Sequence, residues 1–404
     1  MTTLLEAPQS TKPLGMPQSP TTIPVLDGVT QGPRRSLGGV SRDDAVNVLG
    51  AAVSALCTTL LLFGRLAPLQ GLLGFVVASL IVFLAVYAYL VSLSNDRPAV
   101  VDKVMAVLLT TAAGVAFLAL GTVIVYTVWR GGAALIKTNL YSQDMSRAGP
   151  ADPLSVGGIS HAITGTLVII GIAIVITVPL GITCAVFLNE SKSRGAHLVR
   201  TVVDAMTALP SIVAGLFIFA TWILILGFER SGLAASLAVT IMMLPIVIRS
   251  ADVVLRLVPG SLREASAATG APQWRTVWHV VLPTARSGLA TSVILGVARG
   301  IGETAPVLLT SGFTSAMNVD PTKGPMVSLP LAAFEFVRSP QEALIRRGFA
   351  TAAVLMVLVL GLFAVARVLG GRPAGYLSKR QTRRVAARSQ RDAARMAARG
   401  PEAA

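Results

Sequence analysis

An all-α, polytopic transmembrane helical bundle is what this sequence predicts, and three observations carry the prediction. Only 13% of the 404 residues are charged while 53% are apolar, with a mean hydropathy of +0.71; a soluble globular chain carries roughly 25% charged residues. The apolar residues are gathered into runs long enough for a bilayer core of roughly 30 Å, which takes about 20 residues of helix. The basic residues that give the net charge of +15 lie mostly between and after those runs. That placement argues against nucleic acid as the partner and for a membrane with charged loops.

Eight windows qualify as spans: 45–63, 71–93, 105–128, 163–188, 211–228, 232–248, 287–310 and 348–370. Helices are the expected form, because in lipid a helix satisfies its own backbone hydrogen bonds. Residues 1–43 are polar, with no apolar stretch near Met1, and predict a disordered cytoplasmic tail rather than a cleaved signal. Residues 44–104 hold two spans, 105–370 hold six, and 371–404 form a basic tail. The fifth and sixth windows are separated only by Glu229, Arg230 and Ser231, so a tight helical hairpin is expected there. In the tail, Arg380, Arg384, Arg388, Arg391, Arg395 and Arg399 recur every three or four residues, giving one basic helical face for membrane lipids or simple solvation.

With both termini cytoplasmic, 24 of the 34 Lys and Arg residues fall inside and nine outside. The reverse orientation inverts that ratio against the positive-inside rule. A multi-pass protein of a bacterial cytoplasmic (inner) membrane follows, with both termini in the cytoplasm. Cys57 and Cys184 lie far apart within apolar runs and predict buried packing residues, not a disulfide or a metal site. His161 and His279, each flanking a span, predict hydrogen-bonding packing residues.

The loop between the sixth and seventh spans is rich in helix punctuation. Ser261 and Glu264 have the spacing of a capping box, Gly270 suits a left-handed helix terminus, and Pro272 suits the first turn of a second helix. Two short helices with a fixed elbow are expected, and the small residues Ala265, Ser266, Ala267 and Ala268 would let another backbone approach. Trp274 and Trp278 fit interfacial anchoring or partner contact equally. The pattern Glu264-Ala265-Ser266, three residues, Gly270, nine residues, Val280, one residue, Leu282-Pro283 resembles the E-A-A-x3-G-x9-I-x-L-P motif of importer-type ABC permeases. Ser266 and Val280 are its two mild departures. The resemblance implies that Glu264, Ala265, Ser266, Gly270, Leu282 and Pro283 couple the chain to a separate ATPase by a helix-in-groove contact. No G-x-x-x-x-G-K-[ST] phosphate loop occurs in the chain. The chain is therefore expected to be no enzyme and to bind no cofactor, with ATP and Mg on the partner.

The seventh window alone carries ionisable residues near its middle, Arg299 and Glu303. A central Arg or Asp costs about 2.5–3.5 kcal/mol on insertion scales, and such residues mark a solute pathway or an interhelical pair. Spaced four apart, they share a helix face and can pair; Gly300, Gly302 and Pro306 loosen the helix around them.

The run Ala298-Arg299-Gly300-Ile301-Gly302-Glu303-Thr304-Ala305-Pro306 resembles the A-R-x-I-G-E-T-A-P signature of A-type permeases of the phosphate-specific transport system. Pro210-Ser211-Ile212-Val213 with Gly215-Leu216-Phe217, Gly158-Ile159-Ser160-His161-Ala162-Ile163 with Gly165-Thr166, Leu188-Asn189-Glu190, and Met326-Val327-Ser328-Leu329-Pro330-Leu331 resemble further runs of that family in the same order. The resemblance covers about residues 105–370 and implies a six-helix core of the MetI-like transmembrane type. It also implies a substrate pathway through Arg299, Glu303, Thr304 and Ser211, a homologous C-type permease partner, a dimeric ATPase and an extracytoplasmic phosphate-binding protein. The alternatives are a permease for another oxyanion such as molybdate or sulfate, an ion-coupled secondary transporter, and a membrane scaffold. Residues 1–104 lie outside the resemblance.

Overall fold

The computed structural model describes residues 42–66, 71–191, 193–370 and 379–398. Residues 1–41 of the expected disordered tail and Arg399 lie outside them, while Arg42 and Asp43 already belong to the first helix. Among the described residues all regular structure is helical, and seven helices are long and apolar enough to cross a membrane, or eight if one bent pair counts as a span.

Two compact units divide the chain, Met1–Ala116 and Phe117–Ala404. In the first, α1 (Arg42–Leu61) runs on through a wide turn at Leu62–Leu66 and packs on α2 (Leu72–Ser92). Their core is Ala51, Tyr87 and Val91, with Val100, Val104 and Val107 from the start of α3 (Arg97–Leu135). Lys103 pairs with Asp44 at 2.7 Å. Cys57 is exposed, against the burial expected of it; its side chain leaves the small interface that Ala51 and Ala55 occupy. At 1.5 Å per residue, α3 is about 58 Å long, well beyond the roughly 30 Å of bilayer hydrocarbon.

The second unit continues with α4 (Asn139–Ser142), α5 (Ser160–Glu190) and α6 (Arg194–Thr207). Then come α7 (Ser211–Ile218), extended by a wide turn at Phe219–Ile225, and α8 (Gly232–Arg256). Its centre is α8 packed on α5, where Gly181 leaves room for Val247. The helical segment of the fifth window, 211–225, counts as a span only together with α6, which it joins through a sharp bend. Pro210 disfavours helix at Leu209, so α6 ends at Thr207 and the chain bends by 107° before the 211–225 segment. The amphipathic α6 was unforeseen; it buries Ala196 and Val203 against Leu188 and Ile248.

Beyond α8 lie α9 (Gly260–Ala268) and α10 (Gln273–Thr276), which runs through a wide turn at Val277–Val281 into α11 (Leu282–Ile301). The seventh span thus begins at Gln273 rather than near 287. Pro283 has no N–H to return to the preceding turn, and the wide turn absorbs that mismatch. The span also stops early: α11 ends at Ile301 and the chain resumes in α12 (Ala305–Thr310). Short α13 (Leu329–Val337) packs on α14 (Glu342–Gly370), where Gly348 admits Val337; α15 (Lys379–Ala398) follows.

Candidate functional site

Sequence runs far apart in the chain meet in pairs in the fold. A Cβ on Gly165 would sit 2.1 Å from the Val327 carbonyl, and the Thr166 hydroxyl accepts the Leu329 N–H at 2.7 Å. The run around Gly158–Thr166 therefore seats the Met326–Leu331 run. Likewise, a Cβ on Gly215 would lie 2.6 Å from Pro306 Cα, so α7 presses directly on α12. That contact brings the Ser211 hydroxyl to face the Glu303 carboxylate.

Arg299 occupies the last turn of α11, and Glu303 lies just past its end, its N–H donating to the Gly300 carbonyl at 3.1 Å. The two side chains pair across the helix terminus, Arg299 Nη1 to Glu303 Oε1 at 3.1 Å, rather than along a continuous helix face. The Arg299 side chain is 53% exposed while that of Glu303 is 5% exposed. Glu303 Oε1 has no aligned hydrogen-bond donor, so the attraction is one of charge. A guanidinium held this way keeps free N–H groups for an incoming anion. Thr304 is the residue before α12, half-buried, and its carbonyl accepts the Leu308 N–H.

The elbow between α8 and α11 forms a second cluster. Here α9 starts two residues earlier than expected, with Pro259 before Gly260, and no side chain caps it. The Ser261–Glu264 capping box is therefore not made: a helix begun at Gly260 puts Ser261 inside the first turn instead of before it. The far end is as expected, with Gly270 at φ 75°. Gly270 N–H bonds the Ala267 carbonyl and Ala271 N–H the Ser266 carbonyl, a Schellman terminus. Glu264, Ala265, Ala267 and Ala268 are exposed, Ser266 bonds the Thr276 hydroxyl at 2.8 Å, and Trp274 and Trp278 stand exposed on α10 and the turn after it. Leu282 opens α11 half-buried and Pro283 is exposed beside it.

Sequence reasoning missed what holds this elbow. Arg263 donates to Glu190 Oε1 at 2.6 Å, to Asn189 Oδ1 at 2.8 Å and to the Leu255 carbonyl at 3.2 Å, while Gln273 donates to Glu190 Oε2. The Leu188-Asn189-Glu190 run at the end of α5 is thus the socket of the elbow. Also missed was Arg347, 1% exposed at the start of α14. It donates to the Val156 carbonyl at 2.7 Å and to Met145 Sδ at 3.2 Å. Its place just before the apolar run at 348 made it look like a loop residue. His161 is buried with both ring nitrogens unpartnered, against the hydrogen-bonding role expected of it. His279, by contrast, lies 3.1 Å from the Arg275 carbonyl.

Residues 177–369 match the family described as "Binding-protein-dependent transport system inner membrane component". The chain is 39% identical over 241 residues to "Phosphate transport system permease protein PstA 1" of Mycobacterium tuberculosis (strain ATCC 25618 / H37Rv), covering 58% of this chain and 78% of that protein. It is 42% identical over 236 residues to "Phosphate transport system permease protein PstA" of Mycobacterium leprae (strain TN), covering 58% and 77%. Among solved structures it is similar to a chain of the inward-facing MetNI methionine ABC transporter, at 20% identity and a TM-score of 0.40, covering 53% of this chain and 91% of that one.

Proposed function

This chain belongs to the PstA family of phosphate transport system permeases, and from that we propose that phosphate crosses the membrane past Arg299, released from Glu303 as the anion arrives. The protein is a multi-pass membrane permease subunit of a binding-protein-dependent importer, an all-helical pore component rather than an enzyme. Phosphate carries roughly one to two negative charges near neutral pH, and a guanidinium meets its oxygens in bidentate geometry. The observation that carries the reading is the asymmetry of the pair at the α11–α12 break: a half-exposed cation beside a buried carboxylate. In the empty pathway Glu303 keeps the net charge near zero, so that the anion is attracted without being trapped. Ser211 and Thr304 line the same break as hydroxyl donors.

In this proposal the chain pairs with a homologous C-type permease, and an extracytoplasmic binding protein delivers phosphate. A dimeric ATPase, carrying ATP and Mg, grips the exposed small-residue face of α9. The Lys and Arg distribution supports cytoplasmic termini and so places α9 on the ATPase side. The clamp of Arg263 on Glu190 and Asn189 would carry motor motion from α9 into α5. Residues 1–104 are proposed as an accessory unit with a lipid-facing role, and residues 105–370 as the permease core.

The test is phosphate uptake by the assembled transporter. Arg299→Gln should abolish it while the complex still forms, and Arg299→Lys should restore part of it. Normal uptake by Arg299→Gln would end the proposal, and preferred uptake of molybdate or sulfate would reassign the substrate. Altering Glu264 or Gly270 should release the ATPase on purification.

A further inference from the structure

A second ion pair in the same unit repeats part of this design. Arg249 of α8 pairs with Asp204 of α6, their side chains 44% and 45% exposed. Arg249 lies seven residues before the last residue of α8, Arg256, so it belongs to the apolar helix and not to the loop where the sequence placed it.

The relation of Arg249 to Arg299 follows from the glycine seam between α8 and α11. A Cβ on Gly300 would meet Met243, one on Gly296 would meet Val247, and one on Gly288 would meet Val254. The two helices are therefore antiparallel, and position 249 lies opposite α11 between Gly288 and Gly296. At 1.5 Å per residue, Arg299 sits roughly 8 Å further along the seam. Direction follows from the helical repeat. At 3.6 residues per turn, Arg249 and Val253 lie about 120° round α8 from its seam residues. Leu295 and Arg299 lie about 90° round α11 from its own, in the same rotational sense. In antiparallel neighbours these rotations open toward the same flank. Exposure agrees, since Arg249, Val253, Leu295 and Arg299 are all exposed.

We propose that Arg249, with Asp204 as its exchangeable partner, is a second oxyanion station on the translocation path, on the cytoplasmic side of Arg299. This rests on the reading of Arg299 as a pathway residue. Two charged stations offset by about 8 Å along the helix axes let an anion leave one as it engages the next, which favours passage over trapping. The partners differ in a way that gives direction. Glu303 is buried, so one side of the Arg299 pair is shielded from solvent, whereas Asp204 and Arg249 are both wetted, so their pair is weakened by solvent and opens readily. The inner station therefore suits release toward the cytoplasm. A guanidinium turned to lipid at this depth would carry the insertion cost of an intramembrane charge, which a watered pathway removes.

The experiment is radiolabelled phosphate uptake by the complete transporter in vesicles, measured beside ATPase stimulation by the phosphate-loaded binding protein. Arg249→Gln should lower the maximal uptake rate by about tenfold or more, as expected for losing one charged contact to the moving anion. Stimulated ATPase should persist, and Arg249→Lys should transport at a rate between wild type and Arg249→Gln. The double variant Asp204→Asn/Arg249→Gln keeps a neutral hydrogen-bonding pair between α6 and α8, and its uptake should stay as low as that of Arg249→Gln. Recovery in the double variant would show the pair to be a helix bridge and overturn the proposal. So would normal uptake by Arg249→Gln in an experiment where Arg299→Gln is dead, which leaves the first station standing. Normal uptake by both single variants would instead remove the Arg299 reading beneath it. Should Arg249→Gln fail to assemble, Arg249→Lys and the double variant decide the matter.

Discussion

Arg299 and Arg347 are both arginines in the helical core unit, and the fold treats them in opposite ways. Arg299 is half-exposed, with one carboxylate at 3.1 Å that is not aligned as a hydrogen bond. Arg347 is sealed at 1% exposure, and its donors go to the Val156 carbonyl, the more distant Pro153 carbonyl and Met145 Sδ. The Met145–Val156 loop it holds is also tied by Met145 N–H to the Ser315 carbonyl at 2.9 Å. A guanidinium whose donors end on backbone carbonyls is a staple, because nothing arriving from solvent can replace those acceptors. A guanidinium facing a mobile solute with one exchangeable carboxylate can trade partners. Partner type and access, more than the cost of burying charge, separate the structural cation Arg347 from Arg299, the cation proposed to meet the solute.

The sharpest way to break that contrast is to neutralise each in turn. Arg299→Gln should cut phosphate uptake at least about 100-fold, the scale of losing a preorganised charged donor, with normal recovery of the assembled complex. Arg347→Gln should do the reverse. It leaves buried carbonyls short of donors, costs about 2–4 kcal/mol of stability and lowers the yield of complex, while uptake per surviving complex stays near wild type. A dead but fully assembled Arg347→Gln transporter would erase the distinction. Thr166→Val sharpens the structural side. It removes the acceptor of the buried Leu329 N–H, and thermal unfolding of the complex should show a loss of about 1–3 kcal/mol without a change in transport. Arg263→Gln probes a third kind of arginine, the one proposed as a mechanical clamp on Glu190 and Asn189. Stimulated ATPase should continue while phosphate moved per ATP falls by a factor of about 2–10, each tenfold being 1.4 kcal/mol of coupling.

The smallest effect concerns pH at the loop that Arg347 staples. The hydrogen bond from the Ser146 side chain, then those from the Met317 and Ser146 N–H groups, hold the Asp144 carboxyl below its ordinary value. A depressed folded-state value means the stabilisation is present above the unfolded value near ~3.9 and is lost as pH falls through the folded one. Asp144 is mostly solvated, so the effect is small. Asp144→Asn should lower the unfolding midpoint slightly at neutral pH, and the gap from wild type should close at the acid end. A gap that widened with acid would reverse the sign assigned here.

Much of the architecture was legible because it rests on one-dimensional signals. Apolar runs marked the helices, the pair Arg299 and Glu303 stood out against an uncharged background, and Gly270 marked the elbow through the left-handed backbone that glycine adopts readily. The failures share a cause. The 211–228 window was read as a span by itself because hydropathy does not see the bend that Pro210 imposes just before it, and α6 on the other side of that bend buries its apolar stripe against residues distant in sequence such as Ile248. The Ser261–Glu264 spacing suggested a cap, but Pro259 had already set the backbone angle that starts α9. Arg347 and Arg249 were read as loop residues because they border apolar runs, and a border residue's burial depends on what packs across from it.

The residues in order determined a helical membrane protein, its count of spans to within one, the break-prone Gly-Ile-Gly-Glu segment and the motif runs that point to an importer. Only the tertiary structure decided which runs meet. The Val327 carbonyl fits against α5 because Gly165 has no side chain, Pro306 rests on α7 because Gly215 has none, and Arg263 reaches Glu190 from the far side of the elbow. Hydropathy and helix period are properties of neighbours along the chain. Close approach, ion pairing and solvent access are properties of neighbours in space, and those separate Arg299 from Arg347.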